Sequence, residues 1–160
     1  MQARPRVCRV AMRAEEVRER GERWPDVRRI LVARTDALGP LVLALPAIAA
    51  LRETYPSAWL AVLARPSTRD LLHLVPGVSC VVEDTPDSDR LSRAVRSFRA
   101  DLFVSMSAGG RTAWAATTAR VPHRVGPSHR VYSALFERRV DARPGGEMRH
   151  EVEAALAFAH

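Results

Sequence analysis

The first group of residues that could do chemistry precedes a long apolar run. Residues 34–39 hold a cation, a hydroxyl, a carboxylate and a glycine, namely Arg34, Thr35, Asp36 and Gly39. Gly39 permits close approach of the backbone, and a helix that begins here directs free N–H groups at an anion. This loop is therefore a candidate ligand site, and a plain tight turn in which backbone amides satisfy Asp36 is the alternative.

A second group lies in residues 105–111. It combines the hydroxyl of Ser107 with Gly109, Gly110 and Arg111 at the predicted start of another helix. The planar fork of arginine matches phosphate and carboxylate groups. A glycine pair is weak evidence by itself, and an ion pair on the surface is the alternative role for Arg111.

The elements that position these loops alternate between short apolar runs and amphipathic segments. Strands are predicted at 30–33, 59–63, 80–82, 102–104 and 124–126, and helices at 39–53, 68–74, 91–98 and 110–120, with a last helix from about Arg149. Residues 132–140 have no clear pattern. The alternation predicts an α/β fold: a doubly wound, mostly parallel Rossmann-like sheet with helices on both faces. In such a sheet ligands bind beyond the carboxyl ends of the strands, where both loops lie.

Composition bounds the remaining classes. The 160 residues, 47% apolar and 27% charged, suit one domain, predicted at 29–160, after a charged extension over 1–28. The net charge of +7 is divided between the extension and the predicted domain, in which acidic and basic residues nearly balance. We therefore expect no nucleic-acid partner. Every basic residue is arginine, which excludes a P-loop or Schiff-base lysine. Two cysteines give no metal knuckle, and no apolar run reaches the length of a membrane span. A cytoplasmic protein without a metal or redox cofactor is expected.

Several motifs follow one another along the chain. They are RILVARTDALGPLVLALPAIAALR over 29–52, Tyr55-Pro56, Arg65-Pro66, LVPGV over 74–78, VPHRVG over 121–126, Arg138-Arg139 and HEVE over 150–153. In this order they resemble the N-terminal half of glycosyltransferase family 9, the heptosyltransferases of lipopolysaccharide core assembly. The resemblance covers about residues 28–158.

The resemblance implies a GT-B enzyme with two Rossmann-like domains. The N-terminal domain would hold a saccharide or lipid-linked saccharide acceptor, and the C-terminal domain a nucleotide-sugar such as ADP-heptose. Transfer would be inverting and metal-independent, with an aspartate after the helix-opening glycine as general base. Acceptor contacts are expected from Arg34, Thr35, Asp36, Gly39, Ser107, Gly109, Gly110, Arg111 and Arg124.

The position of the family's catalytic aspartate is occupied here by Pro40. Proline fits the first turn of a helix but has no titratable group. Losing a positioned base costs about 100- to 10,000-fold in rate. Asp36, in the same loop, is a candidate substitute that projects from a different point of the turn.

A further departure lies at the end of the sequence. His160 falls where the family continues into its donor domain, so we expect that domain to be absent and the chain to be inactive alone. A separate chain could supply the donor half. The competing hypotheses are a non-catalytic saccharide-binding or assembly module that works with a partner, and a Rossmann domain that binds nucleotides. Peripheral contact with the cytoplasmic membrane face, through the arginine-rich N-terminus, is also expected.

Other arginines and the tryptophans receive plainer interpretations. Arg90, Arg93, Arg96 and Arg99 recur every three residues, which indicates a solvated helix face. The tryptophans are interpreted as packing residues, with Trp114 the first to test as a sugar platform.

Overall fold

The computed structural model describes residues 24–107 and 109–141. Within them, six parallel strands form one sheet in the order β3-β2-β1-β4-β5-β6. The strands are β1 (Arg29–Ala33), β2 (Trp59–Ala64), β3 (Cys80–Glu83), β4 (Leu102–Ser105), β5 (His123–Pro127) and β6 (Arg138–Val140). The order reverses between β1 and β4, as in a doubly wound sheet. The predicted fold class is therefore confirmed.

In the described part of the chain, four α-helices connect the strands. They are α1 (Leu38–Thr54), α2 (Arg69–His73), α3 (Ser88–Phe98) and α4 (Gly110–Thr118), with 3-10 turns at Pro66–Thr68 and Val131–Leu135. Among the described helices, none is long and apolar enough to cross a membrane. The segment without a clear sequence pattern folds as the second 3-10 turn and the short strand β6.

The side chains of each central strand alternate between two cores. Ile30 and Val32 pack with α1 and α2 on one face, whereas Leu31 and Ala33 pack with α3 and α4 on the other. Because both faces are covered, the central strands are continuous apolar runs, which is why the sequence reveals them so clearly.

Two residues that precede the predicted boundary at residue 29 contact the rest of the fold. Val27 is buried in the first core, and the Trp24 ring stacks on His123 with 4.8 Å between ring centroids. The rest of the predicted extension, and the predicted helix from about Arg149 with its HEVE motif, lie outside the described residues.

Candidate functional site

The carboxyl edge of the sheet, where the parallel strands end, brings the two predicted loops together. The Thr35 N–H donates to Ser107 Oγ at 2.7 Å, and the two side-chain oxygens are 3.3 Å apart. Ser107 Oγ in turn donates to the Ala33 carbonyl at 3.1 Å. The loops after β1 and β4 are thus fixed to one another because their strands are neighbours.

The buried side chain of Arg34 connects the two loops of this edge. Its Nε donates to the Pro40 carbonyl at 3.2 Å while Nη1 donates to the Met106 carbonyl. The Asp36 carboxylate lies 3.4 Å from Nε and is partly exposed. The guanidinium therefore ties the first turn of α1 to the loop after β4, and Asp36 balances its charge at the surface.

Helices α1 and α4 both begin at this edge. Neither Ala37 nor Gly109, their N-cap residues, supplies a side-chain hydrogen bond to the first turn. Helix starts without a side-chain cap present N–H groups and positive partial charge, which suit hydroxyl oxygens and anions. Pro40 lacks an N–H at the third position of α1, so this helix start offers one donor fewer.

Gly39 and Gly109 leave open space. A Cβ atom added to either would meet nothing within 4 Å, and neither has a positive φ. Their backbone conformation therefore does not require glycine. What glycine provides at these two positions is an open helix start, which a side chain would cover.

Gly110, in contrast, is packed. A Cβ there would lie 2.9 Å from Cδ1 of Tyr132, so the ring of that residue rests on the first turn of α4. The Tyr132 hydroxyl donates to the Ser107 carbonyl at 3.4 Å. Burial raises the pKa of Tyr132, Arg130 opposes that rise and the Asp36 carboxylate adds to it. The phenol therefore stays protonated at neutral pH and acts as a donor.

The Arg111 side chain makes hydrogen bonds within the fold. Nη2 donates to both carboxylate oxygens of Asp84, at 2.7 Å and 2.8 Å, and Nη1 donates to the Thr85 carbonyl. The pair joins the end of β3 to the start of α4. Arg111 lies at the predicted edge, but two of its N–H groups already hold another loop in place.

Arg124 is not brought into this group. It is the second residue of β5, where its Nε donates to the Leu135 carbonyl at 2.8 Å and Nη1 donates to the Val121 carbonyl. These bonds fix the second 3-10 turn against β5, away from the loops after β1 and β4.

Sequence analysis did not identify three residues that lie at this edge. Arg65 Nε donates to the Thr35 carbonyl at 2.7 Å, Asp84 holds Arg111, and Tyr132 covers Gly110. Arg65 and Asp84 directly follow β2 and β3, so applying the carboxyl-end rule to every strand would have found them. No sequence signal marks Tyr132, because its segment has no regular pattern.

Among the described residues, no group of three or more histidine, cysteine, aspartate or glutamate side chains could hold a metal ion. What the edge offers is a partly exposed carboxylate, hydroxyl groups and two helix starts. This set can exchange hydrogen bonds with a ligand rich in hydroxyl groups.

No family model matches the sequence. A curated Haemophilus influenzae protein named "Putative glycosyltransferase" is 27% identical, with 79% of this chain and 38% of that protein aligned. The chain thus spans less than half the length of this relative.

Solved structures give the same picture at lower identity. The ADP-heptose lipopolysaccharide heptosyltransferase II of E. coli superposes with a TM-score of 0.69 at 20% identity, over 83% of this chain and 40% of that one. A family 9 glycosyl transferase of Veillonella parvula gives 0.69 at 18% identity, over 82% and 40%. E. coli heptosyltransferase WaaC, solved with ADP-2-deoxy-2-fluoro heptose, gives 0.65 at 14%, over 82% and 47%. These likenesses confirm the predicted resemblance to glycosyltransferase family 9 proteins and the predicted fold, a Rossmann-like parallel sheet with helices on both faces.

Proposed function

We propose that the carboxyl edge binds the saccharide acceptor of a heptosyltransferase-like reaction. In that reaction a sugar passes from a nucleotide-sugar such as ADP-heptose to an acceptor of the lipopolysaccharide-core type, with inversion and without a metal ion. The observation that carries the proposal is the convergence of Thr35, Asp36 and Ser107 beside two helix starts, in a fold shared with heptosyltransferases.

The chemistry of the edge suits a sugar with several hydroxyl groups. Asp36 accepts hydrogen bonds from hydroxyls, whereas the first N–H groups of α1 and α4 donate to hydroxyl or phosphate oxygens. Arg34 keeps this arrangement rigid by holding the Pro40 and Met106 carbonyls. An acceptor can bind here at small entropic cost because the loops are already fixed.

Pro40 bears on catalysis. In the family pattern this position supplies the general base, and here its only polar atom is a carbonyl that accepts from Arg34 at 3.2 Å. Asp36 has a carboxylate, but its ion pair with Arg34 at 3.4 Å draws that group toward the buried guanidinium. We therefore assign this chain acceptor binding, with little or no transfer on its own. The donor half would come from a separate polypeptide or from sequence outside these 160 residues.

Binding is tested with a heptose-containing inner-core oligosaccharide as probe. Saturation-transfer NMR should detect the complex, and Asp36→Asn should weaken it at least tenfold, since a hydrogen bond to a charged group contributes about 1.5–3 kcal/mol. Glu137→Gln is the matched control, because Glu137 pairs with His123 at the opposite edge of the sheet. Absence of binding by the unaltered chain would contradict the proposal.

The assignment of Pro40 is tested in a two-domain chimera that adds a heptosyltransferase donor domain. Restoring the carboxylate by Pro40→Asp should raise transfer from ADP-heptose by about 100- to 10,000-fold over the unsubstituted chimera. Equal rates in the two proteins would show that Pro40 does not occupy the base position, provided that both bind the acceptor probe.

The second candidate is a non-catalytic saccharide-binding or assembly module, and Pro40 is the observation that favours it. It predicts acceptor binding without any gain from Pro40→Asp. Calorimetry with common nucleotides distinguishes these two candidates from a nucleotide-binding domain, since only the latter should bind a nucleotide by itself. We place the chain in the cytoplasm, in at most peripheral contact with the inner membrane face.

A further inference from the structure

The amino edge of the sheet, where the strands begin, carries an exposed basic surface. Arg28 and Arg29 lie at the start of β1, and Arg96, Arg99 and Arg120 come from the ends of α3 and α4. All five are exposed. Together with Trp59, at the start of β2, they form what we call the amino-edge patch.

Hydrogen bonds to helix ends hold two of these arginines in position. Arg29 Nη1 donates to the Phe98 carbonyl at 3.0 Å, and Arg96 Nη2 donates to the Thr118 carbonyl at 3.0 Å. Phe98 ends α3 and Thr118 ends α4, so both guanidinium groups lie at the negative ends of helix dipoles. Their other N–H groups are available to an anion.

Arg99 and Arg120 follow the same two helix ends in a left-handed conformation. Their φ angles are 54° and 59°, a region that glycine adopts readily and other residues seldom do. Among the described residues, no side-chain hydrogen bond or ion pair joins Arg28, Arg99 or Arg120 to a carboxylate. The chain thus places charged side chains at two positions where folding favours glycine.

The acidic groups near the patch do not neutralise it. Asp101 accepts the backbone N–H groups of Arg28 and Arg29 at 2.9 Å and 2.8 Å through one carboxylate oxygen, and Glu137 pairs with His123. Asp26 is exposed beside Arg28. The five guanidinium groups share the amino edge with four carboxylates, those of Asp26, Glu53, Asp101 and Glu137. Asp101 is engaged with two backbone N–H groups and Glu137 with His123, so the patch keeps an excess of positive charge.

Trp59 adds an apolar component. Its side chain is 57% exposed, and its strand position is paired with Arg29 on the neighbouring strand. Strand alternation puts Trp59 on the face of Ala61 and Leu63, which is the face covered by α3 and α4. An exposed indole beside arginines is the combination found at membrane–water interfaces, where Trp lies at the level of the headgroups.

We propose that the amino-edge patch docks on an anionic lipid bilayer, with arginine–phosphate contacts and Trp59 at the interface. A nucleic-acid partner fits less well, because binding of a single strand uses several aromatic side chains in succession, and Trp59 is the one exposed aromatic side chain that the described residues place in the patch. The Trp24 ring is already covered by His123 and by Arg138 at 4.6 Å. Docking at this edge leaves the carboxyl edge accessible and does not depend on saccharide binding.

Flotation with vesicles of phosphatidylglycerol and phosphatidylcholine tests the patch. The full chain should float with these vesicles at low salt, and much less at high salt or with phosphatidylcholine alone, because salt screens the attraction. Arg99→Gly/Arg120→Gly removes two charges at positions where glycine is unstrained. Its partition constant should fall about 25-fold, which is about fivefold for each arginine.

The matched control removes two arginines elsewhere. Arg69 pairs with Glu83 and Arg139 is exposed in β6, so Arg69→Gln/Arg139→Gln lowers the net charge equally and should change partitioning only slightly. If both double variants lose partitioning equally, net charge alone causes binding and the proposed role of the patch is wrong. Failure of the full chain to float would overturn the proposal outright, and binding to single-stranded DNA in its place would assign the patch to nucleic acid.

Tryptophan fluorescence gives an independent readout. Trp59 and Trp114 are exposed to nearly the same extent, 57% and 59%, but Trp114 is the middle residue of α4 and lies away from the patch. Brominated lipids in the vesicles should quench the emission of the full chain. Trp59→Phe should remove most of that quenching and Trp114→Phe should not; the reverse pattern would overturn the orientation.

Discussion

The two edges of the sheet use the same residue type in opposite ways. At the carboxyl edge Arg34 and Arg111 direct their forks inward, to backbone carbonyls and to Asp36 and Asp84. At the amino edge Arg28, Arg99 and Arg120 are exposed, and the described residues give their side chains no partner. One edge is a rigid polar framework that a ligand can approach, whereas the other is a charged surface.

The difference follows from what each edge offers an arginine. The loops after β1, β3 and β4 expose carbonyl and carboxylate groups that need donors, and a planar fork satisfies several at once. At the amino edge the helix-end carbonyls of Phe98 and Thr118 already accept from Arg29 and Arg96. The remaining arginines there are left to the solvent or to a partner. Removing arginines should therefore affect folding at one edge and binding at the other.

The largest effect on stability is expected for Arg34→Met. The substitution leaves the Pro40 and Met106 carbonyls without this donor and Asp36 without its counter-charge, which should cost about 2–4 kcal/mol of unfolding free energy. Urea unfolding measures it. Arg28→Met, at the exposed edge, should stay within about 0.5 kcal/mol. Equal losses in the two variants would erase the distinction between the edges.

The architecture could be predicted from the sequence, for a physical reason. Strands buried on both faces must be apolar throughout, so β1, β2 and β4 stand out as runs such as ILVA and WLAVL. Strand β6 could not be predicted, because it is an edge strand of three residues, Arg138–Val140, two of which are arginines. Its pairing depends on β5 and not on local pattern.

Of the candidate site, only the parts that are local in sequence could be located from the sequence. The loops at 34–39 and 105–111 could be identified because each directly follows a strand and precedes a helix. The contact of Tyr132 with Gly110 joins segments that no local pattern relates. The engagement of Arg111 by Asp84 depends on the placement of β3, so the sequence could not reveal that this arginine holds the start of α4 to the loop after β3.

A pair of glycine substitutions distinguishes the packed from the open part of the carboxyl edge. Gly110→Ala would put a Cβ at 2.9 Å from the Tyr132 ring, whereas Gly109→Ala would meet nothing within 4 Å. The first should lower the unfolding free energy by about 1–2 kcal/mol, since overpacking outweighs the better helix propensity of alanine. The second should cost less, about 0.5 kcal/mol, because alanine is a poorer N-cap than glycine. Thermal unfolding measures both effects. Comparable losses of stability would mean that positions 109 and 110 are equally crowded.

The amino edge can be tested by the same arginine-to-glycine substitution made inside α3 and directly after its end. Arg99→Gly relieves a left-handed arginine with φ of 54° and should raise the unfolding free energy by about 1 kcal/mol. Arg93→Gly, in the helix interior, should lower it by about the same amount, because glycine is a poor helix former. Chemical denaturation should give opposite signs. Losses at both positions would mean that the Arg99 side chain stabilises the fold by contacts that outweigh its backbone conformation.

The smallest effect concerns the other end of α3, at the carboxyl edge. Asp87 accepts the N–H groups of Asp89 and Arg90 at 2.9 Å and 3.0 Å, and these bonds lower its pKa below the ordinary value of 3.8. A lowered folded pKa means that the charged cap stabilises the protein above the unfolded pKa, and that this contribution is lost as the pH falls through the folded pKa.

Asp87→Asn keeps a capping oxygen but removes the titration. The original protein should therefore be more stable than this variant at pH 6, and the gap should close as the pH falls below about 4; acid and urea titrations of both proteins measure it. A gap that does not change with pH would mean that the cap acts without its charge. Asp87 thus reports what a carboxylate gains from a helix start at this edge. Helices α1 and α4, which begin at the same edge without a side-chain cap, offer that gain to a bound ligand.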